Sequence, residues 1–180
     1  MAITYEPIAT TTLGSAAASI SFTSISQTYT DLVIVASVNG ATAEHLYARW
    51  GNSAYDSGTN YSNTAIYARR NGTNTAEEFG SERTSNFSYA RLTPFTFGVP
   101  SAASTFGASI THIQNYANTT TYKTALVRSS TAGNTAYAGT EATVVLWRST
   151  SAINQIQFTI SNGANFQTGT TITLYGIKAA

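Results

Sequence analysis

Two histidines, His45 and His112, are the side chains of this 180-residue chain best suited to exchange a proton near neutral pH. Each lies in a run with strand character, and serine and threonine are so abundant that a hydroxyl beside either one would identify nothing. Nucleophilic catalysis asks for more: a nucleophile, a base within hydrogen-bond reach, and a third group that orients the base. The absence of cysteine removes thiolate nucleophiles, disulfide frameworks, cysteine-ligated zinc and iron–sulfur clusters together. No G-x-S-x-G elbow, Walker A loop or G-x-G-x-x-G is present. Glu44, His45 and Asp56 combine oxygen and nitrogen donors, but neighbouring strand residues point to opposite faces and the acidic spacing is not that of a calcium loop. A turn aspartate and a strand-end glutamate are the preferred reading. The eight acidic residues stand singly apart from Glu77-Glu78, so no carboxylate pair for glycoside hydrolysis is favoured. The expectation is a non-enzymatic chain with no catalytic residues, no metal and no cofactor.

Binding chemistry is better represented. Eleven tyrosines, eight phenylalanines and two tryptophans could fill a core, anchor an interface or stack on sugars. Trp147 ends an apolar run and reads as core, whereas Trp50, Tyr55 and Tyr61 flank a loop and are the candidates for stacking on a glycan. The stretch 71–91 concentrates charge, and within it Phe79, Arg83, Phe87, Tyr89 and Arg91 supply the aromatic and arginine anchors that dominate interfaces. The alternative is a loop whose aromatics fold back onto their own domain. Charged residues are only 9% of the chain and sum to +1, with Arg69-Arg70 the nearest approach to a basic patch, so no nucleic-acid partner is expected. A surface of hydroxyls and amides instead suits a chain packed against other proteins.

The elements that must position these residues read as all-β. Val, Ile, Thr, Tyr and Phe recur in short runs broken by Gly, Asn, Ser and Asp, and no helical periodicity or internal repeat competes. Strands are expected at 3–13, 17–25, 31–38, 45–50, 64–70, 92–99, 108–113, 122–129, 141–148, 153–160 and 170–177. This describes a jelly-roll-like antiparallel β-sandwich of about ten strands, a single domain over 1–180. The continuous apolar run Leu32 to Val38 predicts a strand covered on both faces. Loops are expected at 51–63, 71–91, 101–106, 115–121 and 130–139. No apolar run approaches the roughly 20 residues of a membrane helix, and the first residues lack a secretory pattern, so no membrane partner is expected.

Several short motifs carry a resemblance in their order and extent. Tyr5-Glu6-Pro7-Ile8-Ala9, Ile20 to Ile25 with Gln27 to Leu32, Ile113-Gln114-Asn115-Tyr116, Leu146 to Thr150 and Leu174-Tyr175-Gly176-Ile177 are similar to small structural proteins of tailed phages, notably those of cyanobacteria and other aquatic bacteria. The resemblance implies a virion protein of jelly-roll-like fold and carries over no catalytic residue. The function expected is capsid decoration: a cement protein binding the major capsid protein on the head exterior, produced in the host cytoplasm. The alternative is a head- or tail-fibre tip that binds a host-surface glycan. Low charge and uncovered strand edges lead to the expectation of a homo-oligomer, a trimer in the first instance.

Overall fold

The computed structural model describes residues 4–70, 77–93, 99–101, 104–132 and 138–178. The chain is all-β: β1 (Tyr5–Thr12), β2 (Ser19–Phe22), β3 (Asp31–Val38), β4 (Leu46–Asn52), β5 (Ala54–Tyr55), β6 (Tyr61–Arg70), β7 (Glu77–Phe87), β8 (Ala90–Arg91), β9 (Gly107–Gln114), β10 (Lys123–Ala132), β11 (Ala138–Trp147), β12 (Gln155–Ile160) and β13 (Thr171–Ile177). A short 3₁₀ turn, Ser161–Gly163, follows β12.

Two antiparallel sheets form the sandwich. The larger has the order β1-β13-β3-β9-β10-β11-β6-β7, and the smaller β2-β12-β4-β5, with β8 also paired to β4. The pattern is that of a jelly roll, in which successive strands alternate between sheets and the last ones insert among the first. Thus β13 lies between β1 and β3, β12 lies between β2 and β4, and β9 and β8 continue the two sheets beyond β3 and β4. The hairpins β6–β7 and β10–β11 are added to one side of the large sheet.

Period-two patterning explains the core. Ile20, Phe22, Leu32, Ile34, Val38, Ile156, Phe158, Ile172 and Leu174 alternate inward from both sheets and are buried together. Each such side chain contributes about 1.5–3 kcal/mol when fully buried. At the other end Trp50, Tyr61 and Trp147 pack as one aromatic knot, with ring centroids 5.9–6.3 Å apart. Lys123 is also wholly buried. Its ammonium donates to the carbonyls of Thr121 and Thr150 at 2.8 and 3.2 Å, so it ties two loops together, and burial lowers its pKa.

Three expectations are corrected here. Residues 77–87 are not loop but an eleven-residue strand, β7. The strand expected at 92–99 does not form where it is described: Leu92 and Thr93 are bends and Val99 makes a single bridge to Glu44, while 94–98 lie outside the described residues. Finally, β3 is not covered on both faces. Val33 is buried, but Val35 is 40% exposed and Ser37 is exposed, because nothing among the described residues packs against the outside of the large sheet there.

Candidate functional site

Neither histidine forms a catalytic arrangement among the described residues. His45 Nδ1 donates to the Thr93 carbonyl at 2.7 Å, which sets its tautomer, and its ring stacks on Tyr47. Burial lowers its pKa and keeps it neutral. His112 Nε2 lies 2.8 Å from Asp31 Oδ2, while Asp31 Oδ1 accepts from the Asn115 backbone. This is an orienting pair with no nucleophile hydrogen-bonded to it. Glu44, His45 and Asp56 do not converge: Glu44 accepts from the Ser161 hydroxyl, and Asp56 is held by Trp147 and Asn60. No group of three potential metal ligands occurs among the described residues.

The candidate sugar-stacking residues are largely sealed. Trp50 and Tyr61 are 0% exposed, and only Tyr55 retains partial exposure. Both rings belong to the core because β4 and β6 turn those positions inward, between the sheets. They offer no face to a glycan, which corrects the sequence expectation for these two.

The five proposed interface residues separate into two groups. Arg83 faces outward with Thr64, its partner on β6, and Phe79, 72% exposed, shares that face. Phe87, Tyr89 and Arg91 gather on the other side. Arg91 pairs with Glu82 at 2.5 Å and lies over the Phe87 ring, and Tyr89 stacks on Tyr47 with centroids 4.9 Å apart. Arg49 covers the opposite face of this assembly, 4.2 Å from the Tyr89 centroid. The series His45, Tyr47, Tyr89, Arg49 therefore uses its flat faces on itself.

The feature that sequence reasoning missed is the outer face of the large sheet. Register places Val35 beside Ile110, Ile110 beside Arg128, Arg128 beside Ala142 and Ala142 beside Ile66. The next row holds Val33, His112, Leu126, Val144 and Thr64. Of these, Val35, Ile66, Ile110, Leu126 and Val144 are 40–65% exposed. On the inner face of the same strands sit Ser109, Thr111, Ser129, Thr131, Glu141 and Thr143, all buried. These strands therefore carry aliphatic groups on both faces, with the buried hydroxyls sharing the inner side with Ile113, Ala125, Val127, Val145 and Trp147. Ser129 donates to Glu141 at 2.5 Å, whereas the Thr111 and Thr143 hydroxyls are buried without a partner. The outer residues line an open groove of about 590 Å³. Alternation in this region was visible in the sequence, but an Ile-Thr alternation does not say which set faces the core.

Charges complete the description of this face. Arg128 on β10, Arg70 on β6, and Arg83 and Glu77 on β7 are exposed and make no ion pair among the described residues. Elsewhere Glu78 is paired to Arg69, Glu82 to Arg91, Glu6 to Lys178 and Asp31 to His112. No known protein family, curated protein or solved structure matches the chain.

Proposed function

We propose that the chain is a non-enzymatic structural protein of a tailed-phage particle, a capsid decoration protein that seats the outer face of its large sheet on the major capsid protein. The observation that carries this reading is the apolar outer face of β9, β10, β11 and β6: Ile110, Leu126, Val144 and Ile66 are directed at solvent, although the same strands also bury an apolar inner set that includes Val127 and Val145. Contiguous apolar patches beyond a few hundred Å² are rare on proteins that act alone. The five strands from β3 to β6 that carry this face, about 4.8 Å apart and ~25 Å long, present roughly 600 Å². That is of the order of the ~800 Å² each partner contributes to a stable interface. Arg128, unpaired in the middle of this face, fits a shell surface that offers a carboxylate among apolar groups. The low overall charge and the resemblance to phage structural proteins support the same reading.

The role is mechanical. A subunit that binds the assembled shell and not its dissociated parts stabilises the shell by mass action. Co-sedimentation with empty capsids tests this. The wild-type chain is expected to pellet with the capsids, and the double variant Ile66→Asp/Leu126→Asp to lose at least tenfold in affinity while its melting temperature stays close to wild type. Binding unaffected by the double variant would overturn the assignment of the face, and a wild-type chain that leaves capsids bare would overturn the function.

A further inference from the structure

The two edges of the large sheet are treated differently. An exposed edge strand is a row of unpaired backbone donors and acceptors, and proteins blunt such edges with proline, bulges or charge. On one edge, β1 carries Pro7 and a register break between Pro7 and Ala9. On the other, β7 contains no proline and keeps unbroken register with β6 from Glu77 to Thr84, its irregularity lying beyond, between Tyr61 and Asn63. No strand among the described residues lies beside it.

We infer that this open edge is a self-pairing element: β7 of one copy pairs antiparallel with β7 of a second copy across a two-fold axis that lies midway between the two copies of Gly80. The inference rests on the reading of the chain as an assembling structural protein. Directly opposed residues of an antiparallel pair share a face, so outward residues meet outward ones. Outward on β7 are Glu77, Phe79, Ser81 and Arg83, the set on the same side as Thr64 and Ile66 of β6. Placing Gly80 opposite its own copy sets Glu77 opposite Arg83 of the partner, and by symmetry does so twice; no other register of the pair does. These are the acidic and basic groups of β7 that make no ion pair among the described residues. On the inner side Glu78 meets Glu82 of the partner, but each carboxylate is already held by an arginine, Arg69 at 2.8 Å and Arg91 at 2.5 Å. Gly80 has its own reason to be glycine: a Cβ there would lie 2.6 Å from the Tyr67 hydroxyl.

An axis perpendicular to the sheet keeps both outer faces on one side. The dimer then presents two apolar faces to a single surface, and the second contact gains from the first through effective concentration. A two-fold pair replaces the threefold arrangement expected from sequence.

Sedimentation equilibrium at moderate salt is the test. The wild-type chain is expected to reach twice its 19.0 kDa mass at tens of micromolar. Glu77→Arg and Arg83→Glu are each expected to weaken the dimer tenfold or more, since either change opposes like charges at two places. Combining them should restore it. Circular dichroism melts confirm that each variant is folded, as both positions are exposed. A wild-type monomer or trimer, single variants that dimerise normally, or a combined variant that fails to recover would overturn the two-fold pairing. A monomer that still pellets with empty capsids would do so while leaving the decoration function standing, and a rescued dimer without capsid affinity would do the reverse.

Discussion

Asp56 accepts hydrogen bonds from Trp147 Nε1 at 2.6 Å, from the Asn60 amide at 2.9 Å and from the Gly58 backbone at 2.8 Å. It thereby links the β5–β6 connection to the end of β11. Burial pushes its pKa up, but the bonds from Trp147, Asn60 and Gly58 outweigh that and hold it below its ordinary value. A carboxyl with a depressed folded-state pKa stabilises the fold above the ordinary carboxylate range and loses that contribution as the pH falls through the folded value. Asp56→Ala is expected to lower stability at pH 7 by about 2 kcal/mol, with the deficit shrinking near pH 3; urea unfolding at both pH values measures it. Tyr61 behaves oppositely. Burial raises its phenol above the usual range, so the unfolded chain ionises first and stability contributed by the neutral phenol falls as the pH rises past 10. Tyr61→Phe is expected to cost ~1–2 kcal/mol at neutral pH, because the Trp50 amide loses its acceptor. The difference from wild type should narrow in strongly alkaline unfolding experiments. Neither role could be read from sequence, where Tyr61 stands beside a turn-rich loop and only its partners reveal that it points inward.

Among the elements, β7 separates what sequence could and could not reveal. The strands β12 and β13 were legible because one-sided burial imposes alternation of large apolar groups, and β3 because its apolar run is continuous, although that run misled as to how its two faces are covered. Among the described residues the outer edge strand β7 has only β6 beside it and little cover on either face, so glycine, serine and charge are tolerated at most positions and the apolar alternation disappears. The interface candidates on it belong to different surroundings: Phe79 and Arg83 share the outer face, whereas the register shift before Phe87, which pairs with buried Tyr61, turns Phe87 to the other side. This separation can be measured. Phe87→Ala is expected to destabilise the isolated chain by ~1–2 kcal/mol, as it removes a half-buried ring from Tyr47, Tyr89 and Arg91. Arg83→Ala should change monomer unfolding by less than about 0.5 kcal/mol. Chemical denaturation of the two single variants, at concentrations below self-association, distinguishes them. The apolar face escaped notice for a related reason: β9 and β10 alternate apolar and hydroxyl residues whichever set is buried, and only the opposing sheet decides.

At the level of the whole molecule, both sheets are closed by strands from late in the chain. β13 hydrogen-bonds to β1 on one side and β3 on the other, and β12 likewise to β2 and β4. Removing residues 171–180 should therefore leave two internal edges and expose Ile34, Ala36 and Val38, giving a chain without a cooperative thermal transition. Scanning calorimetry of the truncated chain checks this. The same insertion has a consequence during synthesis. A nascent chain emerging from the ribosome can form the hairpins β6–β7 and β10–β11 early, since their strands are consecutive. It cannot complete either sheet until residues 155–177 have left the exit tunnel. A prematurely terminated product thus lacks the strands that join the rest and cannot reach the closed sandwich.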